Sequence, residues 1–229
     1  MRKILFTAAE PEEIECAQHA FKLYETQLAT NVQVDFMLTG IGTTSTCYRL
    51  TKKIAEAAFA HEPYHLIINI GIAGAFNLND YPIGSSTVID KEYFGDLGFE
   101  TMFGFQTLFQ YELLDADVFP YKGGALHREP LDEPLEKLLQ KYDKATGITV
   151  QTVTGDLNRV EEMKKRFSPD IESMEGAAVY YVCLQEHVPF FELRTVSNAV
   201  GERDKSKWNI PAALKTLNDC CKEILNNLY

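Results

Sequence analysis

Two acidic segments hold the side chains best suited to accept protons or to stand beside a developing positive charge. The first is Glu10-Pro11-Glu12-Glu13, directly after the strand candidate 3–9. The second is Asp170-Ile171-Glu172-Ser173-Met174-Glu175-Gly176-Ala177-Ala178, which sets one carboxylate between a thioether and three small residues. Acids at a helix start are favoured by capping and by the helix dipole without any chemistry. The neighbours of Glu175 add something those effects do not need: small side chains that let another molecule close round its carboxylate. A third segment, Arg194-Thr195-Val196-Ser197-Asn198-Ala199-Val200-Gly201, reads as a strand running into a polar Ser-Asn pair. Polar groups at the carboxyl end of a buried strand stand where open α/β sheets bind ligands. Trp208, the only tryptophan, lies in the loop beyond, either to pack on a helix flank or to stack on a ring.

Three glycine-bearing segments read as turns after strands: Thr39-Gly40-Ile41-Gly42-Thr43, Asn69-Ile70-Gly71-Ile72-Ala73-Gly74-Ala75 and Val153-Thr154-Gly155-Asp156. Glycine admits a ligand close to the backbone and takes positive φ freely; tight turning alone would also account for all three. Gly40-Ile41-Gly42 lacks the third spaced glycine of a dinucleotide fingerprint, and no Lys-Ser/Thr pair follows to make a phosphate loop. No cofactor is expected.

The elements that must position these residues alternate along the chain. Hydrophobic periodicity predicts strands over 3–9, 32–38, 65–70, 86–93 and 190–197. It predicts helices over 12–28, 44–60, 158–167, 175–187 and 211–228, the second capped by Thr43, Thr44 or Ser45. Residues 95–147 are the least regular part and read as long loops with an inserted hairpin. Strand–helix alternation throughout argues for one α/β domain over 1–229, with a mostly parallel sheet between helix layers.

Composition narrows the function classes. The 229 residues are 45% hydrophobic and 24% charged, which suits a folded chain. Lys and Arg number 22 against 33 Asp and Glu, a net charge of −11. That balance argues against a basic nucleic-acid face; the cluster Lys164-Lys165-Arg166 reads as a solvated helix face. No run approaches the length of a membrane span, and the N-terminal apolar run is too short for a signal peptide. Five cysteines without a CxxC pair suggest reduced thiols and a cytoplasmic setting. Five scattered histidines suggest no metal site.

Taken in order, these residues resemble the nucleoside phosphorylase and nucleosidase superfamily, over nearly the whole chain. The matching features are the acidic turn after the first strand, Gly40-Ile41-Gly42, the Asn69–Gly74 strand exit, Met174-Glu175 and Ser197-Asn198. The hydrolase branch is most similar, which holds the methylthioadenosine/adenosylhomocysteine nucleosidases and the futalosine hydrolases. The segment 197–208 looks like the futalosine hydrolase version, as do Asp96-Leu97-Gly98-Phe99-Glu100 and Gly104-Phe105; adenine-specific members have Asp where this chain has Asn198. The resemblance implies a three-layer α/β/α sandwich with a mixed, mostly parallel sheet, assembling as a homo-oligomer. It implies hydrolysis of the N-glycosidic bond of a purine nucleoside, futalosine, to hypoxanthine and dehypoxanthine futalosine on a route to menaquinone. The alternatives are an adenine-type nucleosidase, a phosphorylase or a non-catalytic nucleoside binder.

The same resemblance implies roles. Glu175 would accept hydrogen bonds from the ribose hydroxyls, with Met174 on the sugar face. Glu13 would position water, or Glu12 if the register slips at Pro11. Asn198 would serve the departing base. Gly71, Ile72, Ala73, Gly74, Ser197, Trp208 and Phe105 would complete the substrate site. Ile72 beside the sugar, with no arginine preceding its segment, suits a water-sized space better than a phosphate. Tyr93, Phe94, Phe99, Phe103 and Phe105 could enclose an aromatic 5′-substituent or form a subunit interface. Arg49, Arg128 and Arg203 are the candidate partners for a substrate carboxylate.

Overall fold

Side chains along the first strand, β1 (Arg2–Ala8), alternate between two helical layers, as the two-residue period of a strand requires. Ile4, Phe6 and Ala8 join the core under α1 (Pro11–Tyr24) and α6 (Ile210–Asn226). Leu5 joins the core under α2 (Thr43–Phe59) and α5 (Gly176–Gln185). Strand β3 (Leu66–Ala75) repeats the division, with Leu66, Ile68 and Ile70 on the first side and Ile67, Ala73 and Ala75 on the second. The fold is a three-layer α/β/α sandwich. The computed structural model describes residues 2–25, 32–102 and 104–228.

The remaining strands of the main sheet are β2 (Val32–Leu38), β4 (Ser86–Phe94), β7 (Tyr121–Lys122), β8 (Ala125–His127), β9 (Asp143–Thr149), β10 (Ile171–Ser173) and β11 (Phe190–Ala199). Their order is β2-β1-β3-β10-β9-β4-β8-β7, with β11 bridging β3 and β4. Pairing is mixed: β1 runs parallel to β2 and β3, β11 to β3, and β9 to β4 and β10. Strand β10 is antiparallel to β3, and β11 to β4. Strands β3, β11, β4, β9 and β10 therefore close into a ring, so the sheet has no open cleft at its centre.

Several elements differ from expectation. Asn69–Ala75 is not a turn. β3 runs through it because β11 pairs with residues 67–75 and β10 with Gly74 and Ala75. Helix α2 is capped by Gly42, with no side-chain cap; Ser45 Oγ instead donates to the Thr39 carbonyl at 2.6 Å. Helix α1 ends at Tyr24, and residues 26–28 of the expected helix lie outside the described residues. Glu175 is the cap of α5 and not its first helical residue. Residues 95–147 contain the β5 (Gly98–Thr101)–β6 (Gly104–Thr107) and β7–β8 hairpins, together with an unforeseen helix α3 (Glu133–Leu139) and most of β9. The sequence of β9, Asp-Lys-Ala-Thr-Gly-Ile-Thr, is poor in β-formers at its start. Its place between β4 and β10 overrides that weakness. Helix α4 (Leu157–Phe167) forms as expected, and Ser168 in the left-handed region ends it.

Candidate active site

β11 follows β3 residue for residue from Phe190 to Val196 and then slips, so that Val196 pairs with Ala73 and Asn198 with Gly74. The extra residue is Ser197. A bulge of this kind re-aims side chains, and here both polar groups of the Ser-Asn pair come to face one cavity. Ser197 Oγ donates to Asn198 Oδ1 at 2.7 Å. Asn198 Nδ2 donates to the Ala199 carbonyl at 2.9 Å, which leaves its second N–H uncommitted among the recorded bonds.

Pro11 opens α1, and Glu13 follows within the first turn. Glu13 is buried and clamps the helix start to β3: Oε1 accepts from the Ile72 N–H at 2.8 Å, and Oε2 from the Glu10 N–H at 3.1 Å. Glu12 is exposed beside it at the cavity mouth. Across the cavity, Glu175 Oε1 accepts from the Gly42 N–H at 3.0 Å. That bond requires Gly42 at φ +87, where a side chain is strained.

Arg194 lies behind both acids and is 1% exposed. Its Nε donates to Glu192 Oε1 at 2.6 Å, and its Nη2 stands 3.9 Å from Glu175 Oε2. The hydrogen-bonding network turns the amide oxygen of Asn69 toward Nη2, 2.9 Å away. Gly71 makes room for this arginine, because a Cβ there would collide with the guanidinium and lie 2.9 Å from Glu13 Oε1. Burial pushes the carboxyls of Glu13 and Glu175 above the usual range, and the Arg194 charge opposes that rise at both. Burial works against the charge on Arg194 too, but Glu192, Glu175 and Glu13 outweigh it and bind its proton more tightly. Carboxylates held in this way, with raised affinity for protons, are suited to general-base work in a cleft.

Together these residues surround a cavity of about 450 Å³, of the size that takes small molecules. Glu13, Glu175 and Asn198 line it, as do Ile72, Ala73, Gly74, Met174, Ser197 and Trp208. Among the described residues, its ionisable lining consists of Glu10, Glu12, Glu13, Glu172 and Glu175, without a lysine or arginine. Trp208 is fixed at the rim, with its Nε1 donating to the Glu202 carbonyl at 2.9 Å.

Two expected site residues lie elsewhere. Gly71 sits behind the wall, against Arg194. Phe105 lines a separate cavity with Met163 and Phe167, under the Arg166 guanidinium at 5.1 Å, because the β5–β6 hairpin folds against α4. Tyr93 packs on Phe167 and Phe99 on Tyr111, and Phe103 lies outside the described residues. Of the candidate arginines, Arg128 is committed to Glu136 at 2.5 Å and Arg49 donates to the Leu38 carbonyl. Arg203 stands over the ring of the cavity-lining Trp208 at 5.6 Å.

The residues not anticipated are Arg194 in its role behind the acids, the cavity-lining Glu172 and Val153, and the buried pair Glu92 and Glu192. A readable signal existed for two of them: Glu192 and Arg194 are opposite charges two apart in a mostly apolar strand, hence on the same face. Among the described residues, no group of three or more His, Cys, Asp or Glu is arranged to hold a metal, and no helix is long and apolar enough to cross a membrane.

Residues 3–226 match the phosphorylase superfamily. A futalosine hydrolase of Streptomyces coelicolor is 32% identical over 192 residues, covering 81% of this chain and 75% of that protein. A futalosine hydrolase of Thermus thermophilus is 29% identical over 197 residues, covering 83% and 80%. Among solved structures, a futalosine hydrolase mutant of Helicobacter pylori superposes with a TM-score of 0.78 over the full length of both chains, at 18% identity, a likeness of fold.

Proposed function

The chain belongs to the phosphorylase superfamily, on its futalosine hydrolase branch, and from that premise we propose that it is an N-glycosidase that hydrolyses futalosine. The products are hypoxanthine and dehypoxanthine futalosine, the setting is menaquinone biosynthesis in the cytoplasm, and the working form is a homo-oligomer. The observation that carries hydrolysis over phosphorolysis is the charge of the lining: among the described residues, five glutamates and no cation. A phosphate dianion there would meet uncompensated negative charge, whereas water would not. Arg194 is already engaged by Glu192 and faces the two acids from behind.

The geometry divides the labour. Glycosidic cleavage passes through an oxocarbenium-like sugar. Glu175 spends one oxygen on the Gly42 N–H, which leaves Oε2 for the ribose hydroxyls and for the charge that develops on the ring. Met174 covers the sugar face. Glu13 uses one lone pair of each oxygen on backbone N–H groups and keeps the others for a water molecule, whose proton it takes as the water attacks. The free N–H of Asn198 donates to N7 of the leaving purine; an amide cannot deliver a proton at neutral pH, so the base departs stabilised by hydrogen bonding.

The test is base release by the purified protein from futalosine, 6-amino-6-deoxyfutalosine, methylthioadenosine and inosine without phosphate. Fastest release from futalosine is expected. Faster release from the 6-amino compounds would make the chain an adenine-type nucleosidase, and no release from any would make it a binder.

A further inference from the structure

Behind the cavity, the buried carboxyls of Glu13, Glu92, Glu175 and Glu192 face the buried guanidinium of Arg194. The chemistry above uses Glu13 and Glu175 and leaves Glu92 and Glu192 without a task. Two glycines make room for the cluster. A Cβ on Gly71 would meet Arg194 Nη1 and Glu13 Oε1; one on Gly176, the residue after Glu175, would meet Glu92 Oε1 and Glu192 Oε1. Arg194 cannot answer every acid equally. A guanidinium is flat and holds its N–H groups in a fixed fork, so a bond at Nε decides where both Nη groups point. Glu192 makes that bond, at 2.6 Å, from two residues away on the same face of β11. Glu192 also pairs across the sheet with Asn69 of β3, whose amide oxygen is turned toward Nη2 at 2.9 Å. Held at both points, the fork sets Nη2 3.9 Å from Glu175 Oε2 and Nη1 on the side of Glu13.

Resting on the reading of Glu13 and Glu175 as the working carboxylates, we propose that Glu192 is a positioning residue for the reaction: it pins the fork of Arg194 behind both acids and draws off part of the positive charge they share. The Arg194 charge opposes proton binding at both acids, and the Glu192 charge favours it at Glu175. Without Glu192, the full guanidinium charge would fall on Glu13 and Glu175 and make them weaker proton acceptors. The other titratable groups facing the cluster are Glu92 from β4, Tyr180 and Cys183 from α5, and Cys16 from α1. Burial pushes each of them toward its neutral, protonated form, so they compete little for Arg194.

The test is Glu192→Gln. Its amide oxygen still accepts from Nε, so the fork stays and the charge alone is removed. It is read in the acid limb of kcat/KM for base release from futalosine, and in carboxyl-carbon NMR titrations of Glu13 and Glu175, assigned with Glu13→Gln and Glu175→Gln. The limb and both titrations should move to lower pH, by roughly one unit. Unmoved titrations in the folded variant would overturn the role of Glu192, because a purely structural acid costs stability and leaves them in place. A wild-type protein that releases no base would instead overturn the functional reading, and the NMR titrations would still decide the role of Glu192. Should the glutamine variant not fold, Glu192→Asp draws the charge back from Nε by one methylene. It should shift both titrations the same way by a smaller amount, and no shift would refute the proposal.

Discussion

Replacing Glu175 by glutamine alters charge and almost nothing else. The amide oxygen can still accept from the Gly42 N–H, so the cap of α5 and the turn before α2 stay in place. What changes is Oε2, the oxygen that the proposed mechanism assigns to the sugar. It becomes an N–H₂ that faces the Arg194 guanidinium, 3.9 Å away, and can no longer accept from ribose hydroxyls. A hydrogen bond to a charged acceptor contributes about 1.5–3 kcal/mol. Two such bonds, or one bond and the loss of charge stabilisation under the oxocarbenium ion, amount to roughly 3–6 kcal/mol. At 1.36 kcal/mol per decade, this predicts a fall in turnover of about 10²- to 10⁴-fold. Folding stability should change little, because burial already disfavours the charge on Glu175. The assay is initial-rate hypoxanthine release by wild type and variant, with thermal melts run alongside. A folded variant with turnover within about threefold of wild type would refute the placement of Glu175 under the sugar.

Asn198→Asp should narrow or reverse the preference for the 6-oxopurine by about 1–3 kcal/mol, seen as the ratio of kcat/KM for futalosine and its 6-amino analogue; an unchanged ratio would count against Asn198 as a base contact. Gly71→Ala forces a methyl into Arg194 and against Glu13, so it should lower stability by about 1–3 kcal/mol and slow the folded fraction, checked by denaturant melts and rates. Glu13 must be ionised to accept a proton and burial raises its affinity for protons, so kcat/KM should fall on acidification at a pH above the ordinary glutamate value of 4.5, and Glu13→Gln should abolish that limb together with most activity. Burial and the nearby Glu192 hold Glu92 protonated well above 4.5, so its contribution to stability is present at low pH and is lost as pH rises through that raised value. Glu92→Gln should therefore gain Tm relative to wild type as pH rises, and a pH-independent difference would contradict the assignment.

The acids at 10–13 and 172–175 and the Ser197-Asn198 pair were visible because polar residues stood where periodicity ended an apolar element. Glu13 and Glu12 could not be separated that way: one residue of register decides which is buried, and the bonds from Ile72 and Glu10 fix that register. The glycines of 69–75 misled as a turn, because a strand's continuation is decided by its partners, and β10 and β11 are far away in the chain. β10 has only three residues, too few for any periodicity, yet it carries Glu172 into the cavity. Phe105 was misplaced for the same reason: a hairpin's local sequence does not say which face of the molecule it folds against. Arg194 was legible as a charge in a buried strand; its service to two acids from other elements was not, since that depends on Gly71 leaving space for it.

The central claim is that water, not phosphate, takes the sugar in a cavity lined by carboxylates. Its most direct test is product identity from futalosine across a phosphate titration. The account predicts hypoxanthine and free reducing sugar in equal amounts, at a rate independent of phosphate. A ribosyl 1-phosphate product whose yield rises with phosphate would contradict it.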